Sequence, residues 1–395
     1  RISSLGIGSF HRNDKRKQSY KNFSKNSILF PLIDLSLGST DLLPPEIVIN
    51  SIRESLLSPN ASSYCLHAAT KQFRETVAEW CKERFGVSVD PNKEVLLLIG
   101  SQEGTAHLPL ALLDVGQKGL ILDPSYPSHQ GGMKLAGAHI KRIILKEEEN
   151  WQPNFSSLSK SELDQIKLFI LGYPHNPTAQ VGKQNCLDNI MLNAHKYQFV
   201  VAHDNPYVDL ALEGEAPVLL KCSGWREWGI EFFSFSKAWN MGGLRLGFAV
   251  GSEQIIGALQ KVKGVVDFNQ SIALQCGAIS ALSLSKSLNW NESIKTTYRG
   301  RRDKTIYALR NIGWNINVPS MAMYLWLPVP EWAKSLGWTD ERFSAELLEN
   351  KGVAIAPGSG FGEGGSNWLR MALVRPLDEL LEAATRINEW WDANI

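Results

Sequence analysis

Short apolar runs separated by helical patterns constrain the fold of this chain more than any other feature of its sequence. Each run has three to five residues bounded by turn residues, a length typical of buried strands and far too short to span a membrane. The runs are Val95–Ile99, Leu120–Leu122, Lys167–Leu171, Phe199–Ala202, Glu231–Phe235 and Leu246–Val250. Helices are predicted at about Lys71–Arg84, Glu103–Leu113, Asn185–Lys196 and Glu253–Val262. This alternation predicts an α/β fold.

The pattern changes after about residue 280. A long charged helix at Trp290–Asn311 is followed by separated apolar runs and a final helix. The runs are Met323–Leu327, Val353–Ala356 and Leu369–Leu373, and the final helix is Leu377–Asn394. This order predicts a smaller α+β domain. We therefore expect a large domain over residues 46–280 and a small C-terminal domain over 281–395, with residues 1–45 forming an N-terminal arm and part of the small domain.

Charge is unevenly distributed along the chain. The totals of 41 basic and 40 acidic residues nearly cancel, but residues 1–27 carry seven basic residues and only one acidic residue. A solvated, partly mobile arm is the expected interpretation, and a targeting segment or a nucleic-acid arm are alternatives. We expect no nucleic-acid partner, because no second basic patch with interleaved aromatics is present, and no membrane. Five cysteines without a CxxC motif predict reduced thiols in a cytoplasmic protein, with organellar targeting left open.

Polar residues follow several predicted strands, at the edge where open α/β sheets bind ligands. They are Ser101 and Gln102 at a helix N-terminus, Asn176 in a proline-rich turn, Asp204 and Tyr207, and then Lys237 and Arg245. A helix N-terminus favours an anion such as a phosphate. A lysine at the end of a buried strand is costly unless it is paired, neutral or covalently used. An amine, an anion site, a carboxylate, a phenol and an amide together match what pyridoxal 5'-phosphate requires of a protein.

Four stretches carry a resemblance to a known family: Gly100–Leu112, Asp123–Pro127, Gly229–Gly247 and Ala356–Gly362. They resemble the class I aminotransferases of the fold type I superfamily, most closely the LL-diaminopimelate aminotransferases and their relatives. The resemblance extends from about Ile33 to the C-terminus. It implies a large, mostly parallel seven-stranded sheet domain beside a smaller α+β domain. It also implies a pyridoxal-phosphate-dependent transaminase acting between an amino acid and a 2-oxo acid, with LL-diaminopimelate and 2-oxoglutarate as one candidate pair.

The resemblance assigns roles to individual residues. Lys237 would bind the cofactor covalently and move the substrate α-proton, while Asp204 would pair with the ring nitrogen, and Tyr207 with Asn176 would donate to the ring oxygen. Other cofactor contacts would be Ser101, Gln102, Ser234 and Arg245 at the phosphate, Tyr126 on the ring face, and Tyr64 reaching across a homodimer with shared active sites. Arg370 would bind the substrate carboxylate, with Gly38 and Asn176 beside it. The N-terminal segment would lie across the partner subunit.

Departures from the family pattern leave the catalytic groups in place. Ala69 and Ala179 stand where glycine is usual, Gln102 replaces a lysine, and Leu244 replaces a tryptophan. The amino donor therefore stays open.

Other functions remain as alternatives. A C–S lyase on the same scaffold would also begin with proton removal by Lys237, whereas a non-catalytic binding protein would not need this lysine. Gly360–Gly365 fits GxGxxG but precedes a predicted strand instead of a helix, which argues against nucleotide binding. We expect no metal site, since His and Cys show no ligand spacing.

Overall fold

The computed structural model describes residues 5, 9–24, 30–65, 69–285, 288–321 and 323–393 of the 395-residue chain. In these ranges the helices are α1 (Ser9–Ser24), α2 (Glu46–Leu56), α3 (Lys71–Phe85), α4 (Ser101–Leu112), α5 (Pro127–Ala136), α6 (Lys160–Leu163), α7 (Gln184–Tyr197), α8 (Trp225–Trp228), α9 (Glu253–Val266), α10 (Ile272–Leu284), α11 (Leu288–Arg310), α12 (Glu331–Ser335), α13 (Asp340–Lys351) and α14 (Leu377–Asp392). The strands are β1 (Ile33–Asp34), β2 (Val95–Leu98), β3 (Lys118–Asp123), β4 (His139–Ile144), β5 (Ile166–Leu171), β6 (Val200–Asp204), β7 (Gly229–Ser234), β8 (Gly247–Gly251), β9 (Tyr324–Pro328), β10 (Val353–Ala354), β11 (Ala356–Pro357) and β12 (Trp368–Ala372).

A seven-stranded sheet confirms the predicted α/β architecture. Its strand order is β2-β8-β7-β6-β5-β3-β4, and β8 alone runs antiparallel to its neighbours. The inner strands β5 and β7 are buried on both faces, which is why their sequences are largely apolar runs, and the edge strand β2 is buried throughout as well. The edge strand β4 was not predicted, because its sequence HIKRII mixes charged and apolar residues and only Ile143 is fully buried.

Helices cover both faces of this sheet. One face packs α4, α5 and α9 through residues such as Leu108, Met133 and Leu259. The other face packs α3, α7 and α10 around Phe73 and Ile190 among others. Each face of the sheet therefore has its own apolar layer, which holds the carboxyl ends of the parallel strands at one edge.

A second core lies beneath a three-stranded antiparallel sheet of order β11-β12-β9. A two-stranded parallel sheet pairs β1 with β10, so the chain near residue 33 joins elements near residue 353. The predicted run Val353–Ala356 in fact divides between these two sheets. The helices α11, α13 and α14 complete this α+β part of the molecule.

The N-terminal segment is a helix packed on the protein, so the expectation of a solvated arm is wrong for residues 9–24. Helix α1 buries Asn13, Lys17 and Tyr20 and contacts α13. Arg1 and Lys25 lie outside the described residues. Among the described helices, none is both long enough and apolar enough to cross a lipid bilayer.

Candidate active site

The carboxyl ends of β2, β5, β6 and β7 open onto a cavity of about 530 Å³. With one exception, every site residue predicted from the sequence lines this cavity. These residues are Gly38, Ser101, Gln102, Tyr126, Asn176, Asp204, Tyr207, Ser234, Lys237, Arg245 and Arg370. The exception is Tyr64, which is 86% exposed and packs edge-on against Phe268, with ring centroids 5.7 Å apart.

Lys237 lies in the turn that follows β7 and is half-buried. Its Nζ donates a hydrogen bond to the carbonyl oxygen of Gly38 at 2.7 Å and lies 5.8 Å from the centre of the Tyr207 ring. The amine therefore lies between the sheet and the chain segment that follows β1.

Asp204 ends β6 and is nearly buried. Its Oδ2 lies 3.1 Å from Nε2 of His129, a residue that the sequence did not indicate. Its Oδ1 is buried without a hydrogen-bond partner in the described part of the chain. An unsatisfied buried carboxylate oxygen is costly, so this atom is suited to a donor that a ligand would bring.

A fully buried carboxylate lies behind Asp204. Oε1 of Glu231 accepts hydrogen bonds from Nδ1 of His203 and Nδ2 of Asn205, both at 2.8 Å. The backbone N–H of Tyr173 donates to Nε2 of His203 at 3.1 Å, so the proton of this neutral ring lies on Nδ1. The residues on both sides of Asp204 are thus fixed to the neighbouring strand.

The opposite end of the cavity is suited to an anion. Helix α4 begins at Ser101 directly after Gly100, whose φ of 76° is left-handed. A Cβ at Gly100 would lie 2.7 Å from Nη2 of Arg245, so glycine is needed for the close approach of the guanidinium. A helix N-terminus and an arginine together favour a phosphate. Gln102 also lies here, and its Oε1 accepts a hydrogen bond from the Tyr126 hydroxyl at 3.1 Å.

Beneath this helix terminus lies a charged cluster that sequence spacing did not reveal. Glu103, His107 and Asp267 place potential metal-ligand atoms within 4.8 Å of one another. The buried ammonium of Lys263 lies among them, 3.0 Å from Glu103 Oε2 and 2.9 Å from Asp267 Oδ1, and supplies the positive charge itself. Burial raises the pKa of Glu103 to about 7 even with this partner. The cluster therefore joins α4 to α9 as an ion pair.

Arg370 extends from β12 and is buried. Nη1 donates to Asn176 Oδ1 at 2.7 Å, and Nη2 donates to the carbonyl oxygen of Ser36 at 2.8 Å. The guanidinium lies between the rings of Tyr324 and Phe361, 4.4 and 4.7 Å from their centres. A planar guanidinium held in this way is suited to a carboxylate.

Two buried phenols connect the sides of the cavity. The Tyr207 hydroxyl accepts from Asn176 Nδ2 at 3.4 Å and lies 3.1 Å from the Tyr324 hydroxyl. Burial raises the pKa of Tyr207 well above its usual value. Burial also acts on Tyr324, but the charges of Lys237 and Arg370 outweigh it and lower the pKa of this phenol.

Tyr324 and Ser36 were missed from the sequence. The phenol lies in an apolar strand, where a buried polar group could have been a signal, whereas Ser36 acts through its backbone carbonyl and gives none. The predicted glycine at position 38 has a steric reason, because a Cβ there would overlap the Tyr324 hydroxyl.

Other predicted features have clear structural positions. Ala179, where the family pattern has glycine, is left-handed with a φ of 57°. Gly364 donates its N–H to Asp123 Oδ1 at 2.9 Å, and β12 follows this glycine-rich segment as predicted.

Burial and the nearby His129 lower the pKa of His175, in the turn after β5, to about 3.

Comparison with known proteins identifies the family. A model of the family described as aminotransferase class I and II matches residues 31–387. The chain belongs to this family. The aminotransferase is 37% identical to an LL-diaminopimelate aminotransferase of Dehalococcoides mccartyi over 353 residues, covering 89% of each chain. It is 32% identical to the glutamate–pyruvate aminotransferase of Escherichia coli, over 92% of this chain and 87% of that one.

Solved structures agree with this family. A probable N-succinyldiaminopimelate aminotransferase from Thermus thermophilus superposes with a TM-score of 0.88 at 40% identity, covering 96% of this chain and 99% of that one. The protein is thus an aminotransferase with the fold type I architecture.

Proposed function

We propose that this aminotransferase uses pyridoxal 5'-phosphate to move an amino group from an amino acid to a 2-oxo acid. The observation that carries the proposal is the buried Oδ1 of Asp204, which has no partner among the described residues and lies in the cavity that also holds the Lys237 amine. An acceptor of this kind is suited to a protonated ring nitrogen, and a lysine amine is suited to an aldehyde. The anion site at Ser101 and Arg245 completes the requirements of the cofactor.

The donor set fits the cofactor. Ser101, Gln102, Ser234 and Arg245 would hold the phosphate, Tyr126 would contact the ring face, Asn176 and Tyr207 would donate to the ring oxygen, and Asp204 would hold the ring nitrogen. When bound, pyridoxal phosphate supplies an aldehyde for the amino group and an electron sink for the α-carbon.

The reaction itself would depend on two residues on opposite sides of the cavity. The Lys237 amine would accept the substrate α-proton and return it two atoms further along, at C4′ of the cofactor, as a general base and acid. Arg370 would bind the substrate α-carboxylate and so orient the α-proton toward that amine. The negative charge of Asp204 would keep the ring nitrogen protonated throughout.

For the substrates we propose LL-diaminopimelate and 2-oxoglutarate as the first pair to test. Support comes from the relative in Dehalococcoides mccartyi, whose name specifies LL-diaminopimelate, over 89% of this chain.

We also propose a homodimer with shared active sites. Large apolar side chains are exposed on the segment before α3 and at the end of α9, among them Leu43, Leu57 and Val265. Tyr64 belongs to this exposed group, as expected for a residue that reaches the cofactor phosphate of the partner subunit. A second copy would cover this surface and would exclude water from it.

We propose a large domain over residues 46–280 and a small C-terminal domain over 281–395, with residues 1–45 forming an N-terminal arm and part of the small domain. Two distinct apolar cores support this division, and Tyr207 and Trp326 are among the residues that pack across it. Five cysteines without a CxxC motif support reduced thiols, and we keep the cytoplasm as the proposed location.

A spectroscopic half-reaction tests the proposed function. The purified protein is loaded with pyridoxal phosphate and mixed with LL-diaminopimelate, then with other amino donors. We expect loss of the aldehyde-form absorbance, its return on adding 2-oxoglutarate, and glutamate as a product. Release of pyruvate and ammonia without an oxo-acid acceptor would contradict the transaminase and favour a lyase.

A further inference from the structure

A lysine of helix α1 is buried against the chain segment that follows β1. The Lys17 side chain is 6% exposed, and its Nζ lies 2.9 Å from Asp34 Oδ2 and 3.2 Å from Ser36 Oγ. A buried ammonium costs free energy unless it is paired, so this contact depends on the ion pair and not only on the apolar area that it buries. Asp14, one turn earlier, lies 3.0 Å away but is more than half exposed.

Asp34 connects this lysine to the backbone at Ser36. Its Oδ1 accepts hydrogen bonds from the Ser36 N–H at 3.0 Å and from the Ser36 hydroxyl at 2.6 Å. Burial alone would raise the pKa of Asp34, but the hydrogen bonds of Ser36 and the ammonium of Lys17 hold it below its usual value. The carboxylate therefore fixes the turn on one side and binds α1 on the other.

The carbonyl oxygen of Ser36 then accepts the hydrogen bond of Arg370 Nη2 at 2.8 Å. The other hydrogen-bond acceptor of this guanidinium, Asn176, belongs to the turn after β5. Among the described residues, backbone pairing fixes this segment as far as Leu35, whose N–H donates to the Ala354 carbonyl and whose carbonyl accepts from the Ala372 N–H, both at 2.8 Å. Beyond Leu35, the side chain of Asp34 holds the carbonyl that Arg370 uses.

We propose that Lys17 is a positioning residue for Arg370, and that helix α1 thereby sets the affinity of the site for the substrate α-carboxylate. The inference rests on the proposed function, because it takes Arg370 as the carboxylate ligand. Loss of the ammonium leaves the Asp34 carboxylate buried without its cation. The turn at Ser36 then shifts, and the guanidinium loses the Ser36 carbonyl, one of its acceptors among the described residues, while the bound cofactor keeps its contacts.

The test compares Lys17→Met with Lys15→Met, a matched change at an exposed position of the same helix. Single-turnover absorbance traces at increasing 2-oxoglutarate concentration give its Kd for protein loaded with pyridoxamine phosphate, the form that receives the oxo acid, and steady-state kinetics give kcat and KM. For Lys17→Met we expect Kd and KM to rise about tenfold, with kcat changed less than twofold and cofactor absorbance unchanged. Lys15→Met should match the wild type in every measurement.

Further variants separate positioning from general support of the fold. Asp34→Asn removes the charge at the other end of the ion pair and should raise Kd to a similar extent. If Lys17→Met does not fold, the Kd of Asp34→Asn tests the inference in its place. In an Arg370→Lys background, Lys17→Met should lower kcat/KM by less than twofold, because both changes act on one contact. An unchanged Kd in Lys17→Met and Asp34→Asn, or a full tenfold loss in the Arg370→Lys background, would overturn the inference. If the wild type loaded with pyridoxamine phosphate passes its amino group to no 2-oxo acid, the proposed function itself fails.

Discussion

The two sides of the cavity are built differently. The sheet side, formed by Ser101, Asn176, Asp204 and Lys237, consists of residues that each follow a buried strand. The crossing side, formed by Gly38, Tyr324 and Arg370 with the Ser36 carbonyl behind them, is brought together from both ends of the chain. Buried hydrogen bonds such as those of Glu231 hold the sheet side from beneath, whereas the crossing side depends on one turn and the helix that pairs with it. The cofactor would therefore bind a surface that buried hydrogen bonds hold in place, whereas substrate binding would depend on the turn at Ser36 and on helix α1.

The largest expected effect is on the sheet side. Asp204→Asn should slow the amino-acid half-reaction about a thousandfold, or about 4 kcal/mol, because a neutral amide cannot hold the ring nitrogen protonated. Stopped-flow absorbance measures the rate, with Asp164→Asn, an exposed position after α6, as the control. If Asp204→Asn reacts as fast as the control, the assignment of the ring-nitrogen partner is wrong.

The buried support of the sheet side should also be costly to alter. Both carboxylate oxygens of Glu231 accept hydrogen bonds, from His203, Asn205 and the Leu220 N–H. In Glu231→Gln an amide N–H₂ group replaces one of these oxygens, so a donor faces a donor. We expect the free energy of unfolding to fall by about 3 kcal/mol, measured by denaturant titration of the loaded protein. Glu253→Gln, at an exposed ion pair, should change it by less than about 0.5 kcal/mol. Equal effects in both variants would show that the sheet side does not depend on this network.

On the crossing side, substitution should weaken substrate binding and leave the cofactor in place. Arg370→Lys loses the planar fork and should lower kcat/KM about a hundredfold, or about 2.7 kcal/mol, mainly through KM. The exposed Arg342→Lys serves as the control. Loss of cofactor absorbance in Arg370→Lys would contradict the separation of the two sides.

The smallest effect is a pH dependence at the turn after β5. The pKa of His175 is about 3 in the folded protein, lowered first by burial, while an unfolded histidine titrates near 6.5. The unfolded state thus takes up a proton that the folded state excludes, and stability falls as the pH decreases through this range. Between pH 7 and 5 the wild type should lose about 2 kcal/mol more than His175→Asn. Parallel pH profiles of the two proteins would refute this role of His175.

The same difference between the two sides explains what could be predicted from the sequence. Each strand of the sheet side is an apolar run, so the residues after it could be located and grouped before the structure was known. His129 and Ser36 could not, because tertiary packing alone brings them to their positions, and Tyr324 gave only the signal of a polar group within an apolar strand. Strand β4 was not predicted for a related reason, because at a sheet edge its polar positions give no periodic signal.

The basic N-terminal segment shows a different limit. Asn13, Lys17 and Tyr20 are spaced as one face of a helix, and this is the face that α1 buries. Because two of the three side chains are polar, a search for apolar periodicity does not find them. Charge counting therefore predicted a solvated segment where the structure has a buried ion pair.

Covalent labelling tests the central claim most directly. Sodium borohydride reduction of the pyridoxal-phosphate-loaded protein, followed by mass spectrometry of its peptides, should place one cofactor on Lys237 in each chain. The label should persist in Lys261→Ala, a control at an exposed lysine of α9, and disappear in Lys237→Ala. A reducible protein–cofactor bond that persists in Lys237→Ala would contradict the account.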